Sequence, residues 1–209
     1  MLQEVPPSWA EILPRATGAT GSFVPTSRNW MRPVTAAIWE RRPHLVGSWE
    51  GGGNQILVRD GIGLEALGRG RKGLTRFPER RSVHSVCLGG AVDLYNLHAS
   101  TGHERASRDV LEAAAFASRT SGSRPLLLGG DFNCRPSAGH PFPELGSRFG
   151  LSAPAPGLAG SIDQLLVRGL EVVEPGQALP DRSREVRDPG SGALIRLSDH
   201  SPVVGLFRT

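Results

Sequence analysis

One domain of many short strands and few helices is what the sequence predicts, on three observations. Its 209 residues suffice for a single sizeable hydrophobic core, and no linker marks off a second. The 27 glycines and 17 prolines, against only 6% aromatic residues, favour short strands joined by irregular loops over a helical bundle. Finally, apolar residues mostly alternate with polar ones or form short blocks, and only one long segment carries helical spacing.

The elements follow in order. "LQE" reads as the tail of a strand, and "PPSWAEILPRA" as a short amphipathic helix with proline in its first turn. Gly18 to Pro33 shows no sustained periodicity. "TAAIWERR", "HLVGSWE" and "NQILVRDGI" read as strands, separated by Pro43 and by the glycines at 51 to 53. "SVHSVCLGGAVDLYNLHAST" alternates and breaks at Gly89-Gly90, which predicts two antiparallel strands and a tight turn. Ala106, Val110, Ala113, Ala114 and Ala117 then share one face of the strongest helix. "RPLLLGGDFN" is apolar throughout its first half, as in a strand buried on both sides, and "SIDQLLVRGLEVVE" and "DHSPVVGLF" supply further strands.

The net charge of +4 is local: Arg69 to Arg81 holds six basic residues and one acid, and the rest of the chain is close to neutral. Such a stretch attracts phosphate-bearing ligands, or is simply a solvated surface loop. Cys87 and Cys134 have no spacing suited to zinc or to a disulfide framework, so a reducing, cytoplasmic compartment is expected. No apolar run approaches the roughly 18 residues of a membrane span. Core or layer-edge packing is the expectation for most of Trp9, Trp30, Trp39 and Trp49, with base stacking open to any that is exposed.

Several strands end in polar groups. "LYNLHAS" delivers Asn96 and His98, "LLLGGDFN" delivers Asp131 and Asn133, "SIDQLL" delivers Asp163, and "RLSDHSPV" delivers Asp199 and His200. Residues i and i+2 of a strand share a face, so each pair points one way and the sets can converge at one end of a sheet. Individually each is ordinary: an isolated histidine is more often hydrogen-bonded filler, and Asp131 with Asn133 suits a turn.

Their order carries more. "LQE" at 2–4, "NLHAS" at 96–100, "GDFN" at 130–133, "SIDQ" at 161–164 and "SDH" at 198–200 together resemble the endonuclease/exonuclease/phosphatase superfamily, the deoxyribonuclease I-like proteins, over almost the whole chain. The resemblance implies an α+β fold, a four-layer αββα sandwich of two mixed sheets flanked by helices, with residues 1–209 as one domain. It also implies an earlier strand before "LQE", so the chain is expected to be truncated at its N-terminus or assigned a late start.

By the same resemblance Glu4 is the principal metal ligand and Asp199 a direct or water-mediated one, for Mg²⁺, with Mn²⁺ as the alternative. A hard ion that keeps several waters and takes one or two carboxylates suits that set. Asp163 and His200 form a pair in which the carboxylate fixes the imidazole tautomer. Asp131 and Asn133 sit against the scissile phosphate, and either Asp131 or His200 is the base. His98 stabilises charge or protonates the leaving group, and Asn96 helps hold phosphate. Asn54 and Arg59, in "GGGNQILVRDG", are candidate substrate contacts beside the plain reading of a hairpin amide and a solvated arginine. Cys134 reads as a packed thiol. "LYNLHAS" looks more like the histidine-bearing branches than the abasic-site branch.

The expected activity is metal-dependent hydrolysis of phosphodiesters, in DNA or RNA by preference because of the basic stretch, by a monomer. Two rivals stand: a phospholipid or small-molecule phosphoesterase of the same fold, and a catalytically inactive remnant or binding module.

Overall fold

The structure is a computed structural model and describes residues 1–26, 52–62, 64–77 and 79–209. Along the chain lie β1 (Leu2–Val5), α1 (Ile12–Thr17), β2 (Ala19–Pro25), β3 (Gly53–Arg59), β4 (Leu64–Gly73), β5 (Ser82–Leu88) and β6 (Val92–His98). After them come α2 (His103–Ser121), β7 (Leu126–Asp131), α3 (Phe142–Phe149), β8 (Asp163–Arg168), β9 (Glu171–Ala178), β10 (Glu185–Arg187), β11 (Leu194–Arg196) and β12 (Val203–Arg208).

The central sheet has five strands in the order β4-β5-β6-β7-β8. β6 and β7 are parallel and the other neighbours antiparallel, so the sheet is mixed. A parallel pair needs a crossover, and α2 provides it. The alanines of α2 let the helix lie close to the sheet, where Ala106, Val110, Ala113, Ala114 and Ala117 pack with Val83, Tyr95, Leu97, Leu126, Leu128 and Leu166. α3 closes the same core through Phe142 and Leu145. Tyr95 reaches through it to the hydroxyls of Thr120 and Ser121, which satisfies its buried oxygen.

The opposite face of the sheet meets a second sheet, β1-β3-β2. Ile56, Val58 and Val86 form the seam, with Met1, Leu88 and Leu94 packed against it. α1 covers the outer side of this layer, its Pro14 lying over Gly21. Helices, two facing sheets and a further helix thus make the expected αββα layering. The second sheet is antiparallel rather than mixed among the described residues. β9 with β12 and β10 with β11 form separate antiparallel pairs.

β2 is a strand where no periodicity announces one. Its "ATGSFVP" has weak strand propensity, but it pairs with β3 without a break from Ala19↔Arg59 to Pro25↔Gly53, and that ladder outweighs local preference. The basic stretch is only partly a loop, since Arg69, Arg71 and Lys72 belong to β4 and Lys72 bonds Glu112 on α2 at 2.9 Å. "TAAIWERR", "HLVGSWE", Trp30, Trp39 and Trp49 lie outside the described residues. Trp9 is exposed. Among the described residues no helix is long and apolar enough to cross a membrane.

Candidate active site

Strand register builds the site. Ser82 pairs with His98, His98 with Asp131, and Asp131 with Asp163, so these residues form one transverse row across β5, β6, β7 and β8. Paired residues share a face, and this row faces the second sheet at the end where β1 and β3 also terminate their site-side residues. The parallel pairing of β6 and β7 is what brings His98 and Asp131 to the same end.

Asp131 is buried, and its carboxylate is fixed by Asn133. The Asn133 backbone N–H donates to Oδ1 at 2.8 Å and its side-chain amide donates to Oδ2 at 3.0 Å. The same amide also donates to the Ala99 carbonyl at 2.9 Å, so both its hydrogens are used in positioning Asp131 and joining β6 to the turn. Asn133 takes a left-handed φ of 49° to do so, a conformation asparagine tolerates. Gly130 prepares the turn with φ 125°, and a Cβ there would sit 2.1 Å from the Leu97 carbonyl oxygen. Burial, opposed by the Asn133 hydrogen bond and reinforced by the charge of Asp163, pushes the Asp131 carboxyl up to about 6.

His98 is held neutral. Burial first, then the Arg81 guanidinium and His200, pushes it down to about 3. The Arg81 NH1 atom lies against both ring nitrogens, 2.9 Å from Nδ1 and 2.5 Å from Nε2, while Nε2 also lies 3.6 Å from Asp131 Oδ2 and 3.8 Å from Glu4 Oε1. A neutral ring accepts from the Arg81 guanidinium, which can only donate, and it is a poor proton donor at neutral pH. Arg81 itself is only 7% exposed and its other edge pairs with Glu79. Sequence reasoning missed this residue, which sits at the end of a charge run resembling a solvated surface. The available signal was its place directly before the alternating strand that pairs with the histidine strand.

His200 Nδ1 lies 3.1 Å from Asp163 Oδ2. Burial pulls the imidazole down, but Asp163, Asp131 and Asp199 together raise it above its ordinary value. Asp163 is raised, mainly by burial. Asp131, Asp163 and His200 each offer a donor atom within 4.8 Å of the others, a compact set. Asp199 points outward, its side chain 94% exposed and Oδ2 3.9 Å from His200 Nε2. Its backbone carbonyl is gripped by the buried Arg184, which also bonds Asp181 at 2.8 Å. Glu4 lies on a bulge of β1 with φ 56°, and its side chain, 76% exposed, reaches toward His98. A non-glycine residue held in that region is a strained one, of the sort found at functional sites.

Three expected residues stand elsewhere. Asn96 is one row deeper and fully buried between the sheets. It donates to the Leu2 and Gln55 carbonyls at 2.8 and 3.1 Å and accepts from Gln3 Nε2 at 2.6 Å, so its amide is committed to joining β6 with β1 and β3. Asn54 is also buried, its amide donating to the Ser82 and Asn96 carbonyls at 3.0 and 3.3 Å. Arg59 is exposed at the opposite end of β3 from Gly53, roughly 20 Å along the strand. The structure therefore brings together Glu4, His98, Asp131, Asn133, Asp163, Asp199 and His200, and not these three. Cys134 is buried beside the site, its thiol pushed up to about 12 by burial and by Asp131, which leaves it inert as a nucleophile.

A mixed sheet facing a second sheet, with carboxylates and imidazoles gathered where the strands end, defines a deoxyribonuclease I-like sandwich with a hydrolytic type of site. The chain belongs to the Endonuclease/Exonuclease/phosphatase family, whose model matches residues 1–200. Members of this family hydrolyse phosphoester bonds and generally use a divalent metal. Solved structures share the fold. The Bacteroides vulgatus endonuclease/exonuclease/phosphatase has a TM-score of 0.66 at 15% identity, covering 99% of this chain and 82% of that one. Caenorhabditis elegans TDP2 gives 0.63 at 15% identity, covering 100% and 64%. The human Nocturnin catalytic domain, solved with a bound sulfate anion, gives 0.55 at 21% identity, covering 99% and 78%. No curated protein sequence matches the chain.

Proposed function

We propose that this protein is a metal-dependent phosphodiesterase acting on nucleic acid. The observation that carries the reading is the transverse row His98, Asp131 and Asp163 with His200 seated 3.1 Å from Asp163. The residues fit a hard divalent ion: the donors are carboxylate oxygens and an imidazole, and two acidic groups lie together in a partly buried place where a cation relieves their repulsion. Glu4, with Asp199 at the rim, would hold Mg²⁺ or Mn²⁺ beside Asp131. When bound, the ion supplies charge stabilisation at the phosphoryl oxygens and lowers the pKa of coordinated water.

The chain's own groups do the rest. Asp163 accepts from His200 Nδ1–H, which leaves Nε2 aimed outward to take or return a proton. Asp131, poised near 6 and immobilised by Asn133, is the second group able to accept a proton from water near neutral pH. Arg81, seated against the neutral His98 ring, presents a fixed positive charge where negative charge develops on phosphorus. The protein is taken to act as a monomer in a reducing, cytoplasmic setting, in keeping with two buried free cysteines.

A lipid phosphodiester is the second reading. It is favoured by Val186, Ile195 and Leu197, exposed apolar residues on one face of the β10–β11 hairpin just before Asp199. The test is hydrolysis of plasmid DNA, single-stranded RNA, phosphoinositides, sphingomyelin and bis(p-nitrophenyl) phosphate with Mg²⁺ and with EDTA. Metal-dependent nucleic-acid cleavage lost in Glu4→Gln and His200→Ala supports the proposal. Lipid cleavage without plasmid nicking selects the second reading, and no hydrolysis of any substrate leaves a binding module.

A further inference from the structure

Between β4 and β5, Leu74, Thr75 and Arg81 are anchored beside the site. Leu74 N–H donates to the Arg81 carbonyl at 2.9 Å and Arg81 N–H to the Thr75 carbonyl at 2.8 Å. The Thr75 hydroxyl donates to Asp109 Oδ1 at 2.7 Å, and the other oxygen of that buried aspartate accepts from Ser100 N–H at 2.9 Å, two residues after His98. The start of the loop and the histidine strand are thus pinned to one carboxylate on α2.

Two positions past the anchored Thr75, Phe77 is 84% exposed, more than any other large apolar side chain among the described residues. It follows exposed Arg76, and exposed Arg80 lies three positions on, while Arg81 reaches inward to His98. We infer that this loop is the substrate-reading element of the site and that its ligand is single-stranded nucleic acid: Phe77 stacks an unpaired base, Arg76 and Arg80 meet flanking phosphates, and Arg81 meets the phosphate at the metal centre. An aromatic face with cationic neighbours is the combination that binds single strands without reading sequence. A duplex offers phosphates and groove edges but no free base face. A membrane would call for several apolar side chains, and this loop offers one ring among guanidinium groups. The inference rests on the reading of the site as a phosphodiesterase and names its substrate class.

The test pairs binding with turnover. Fluorescence anisotropy in EDTA measures affinity for a labelled single-stranded oligonucleotide, its duplex and anionic vesicles. kcat and KM with Mg²⁺ are measured on the same single strand and on bis(p-nitrophenyl) phosphate. Phe77→Ala is expected to weaken single-strand binding about tenfold or more, with a matching rise in KM and a much smaller effect on the duplex and on the aryl diester. Phe77→Trp restores the affinity, and the paired Arg76→Ala, Arg80→Ala variant flattens the salt dependence. Equal losses on single strand and duplex, no loss on the single strand, or a loss confined to vesicles overturns the inference. Binding that depends on Phe77 without hydrolysis of any phosphoester supports the loop's role and refutes the catalytic reading. Aryl diester cleavage with single-strand affinity indifferent to Phe77 does the reverse.

Discussion

His200 Nδ1 lies 3.1 Å from Asp163 Oδ2, although 37 residues separate the two along the chain. The carboxylate arrives at the start of β8, in the same sheet row as Asp131, and the imidazole on the segment that enters β12. An acid in that position sets the tautomer of the ring and leaves Nε2 clear of it, 3.9 Å from Asp199 Oδ2.

Asp163→Asn is therefore expected to lower kcat by about 10²- to 10⁴-fold with a small change in KM. Because Asp163 is the strongest of the groups raising His200, the acidic limb of the pH–rate profile moves to lower pH in the variant. A kcat within threefold of the parent would contradict an orienting role. His200→Ala should lose at least as much and lose that limb altogether.

Asp131 couples activity against stability. Its carboxyl rises from 3.8 to about 6 on folding, so the folded state binds the proton more tightly than the unfolded chain. The stabilisation that this lends is complete below pH 4 and is lost as pH rises through about 6. In EDTA, the stability of Asp131→Asn relative to the parent should then rise by on the order of 2 kcal/mol between pH 4 and pH 7.5, set against a constant loss at every pH because an amide accepts only one of the two Asn133 hydrogen bonds. The substitution should abolish hydrolysis. Calorimetry across pH 3.5 to 8 checks the sign: the variant-minus-parent difference grows with pH, and saturating Mg²⁺ narrows it by stabilising the parent.

Asn96→Ala should destabilise by about 2–4 kcal/mol, because it strands the Gln3 amide and the Leu2 and Gln55 carbonyls between two sheets. Urea unfolding measures it. Any lost activity should return in the fraction that remains folded, whereas a phosphate-binding role would leave a folded protein with a raised KM.

Gly130→Ala should cost more than about 3 kcal/mol or prevent folding. A Cβ there would lie 2.1 Å from a backbone oxygen in a conformation that L residues rarely adopt. Gly139→Ala, also at a positive φ (85°) but with nothing within 4 Å, is the control and should cost far less. Thermal denaturation of the two variants separates steric from conformational strain.

Much of the site is legible because strand parity is legible. In "LYNLHAS" and "LLLGGDFN" the side that His98 and Asp131 take follows from alternation, and the glycine turn at Gly89-Gly90 sets the β5–β6 register that aligns His98 with Ser82. Depth is a different matter. Asn96 shares the face of His98, but only the arrival of β1 and β3 overhead decides that its amide is committed to them while His98, also buried, faces Asp131 and Glu4. Arg59 illustrates strand polarity: nothing local in "GGGNQILVRDG" says which end of β3 meets the cleft. Arg81 shows the limit of reading charge runs, since a buried arginine and a solvated one have the same neighbours in sequence. β2 is hidden for a related reason: its ladder with β3 is made by a partner, not by its own composition.

The tie from Asn96 to Leu2 and Gln55 spans 94 and 41 residues and crosses from one sheet to the other. Contacts of such long sequence separation are slow to form. The cleft exists only after both layers have closed, since Glu4 comes from one and His98 from the other. A half-assembled molecule is therefore enzymatically silent, and the appearance of product during refolding times the final docking event.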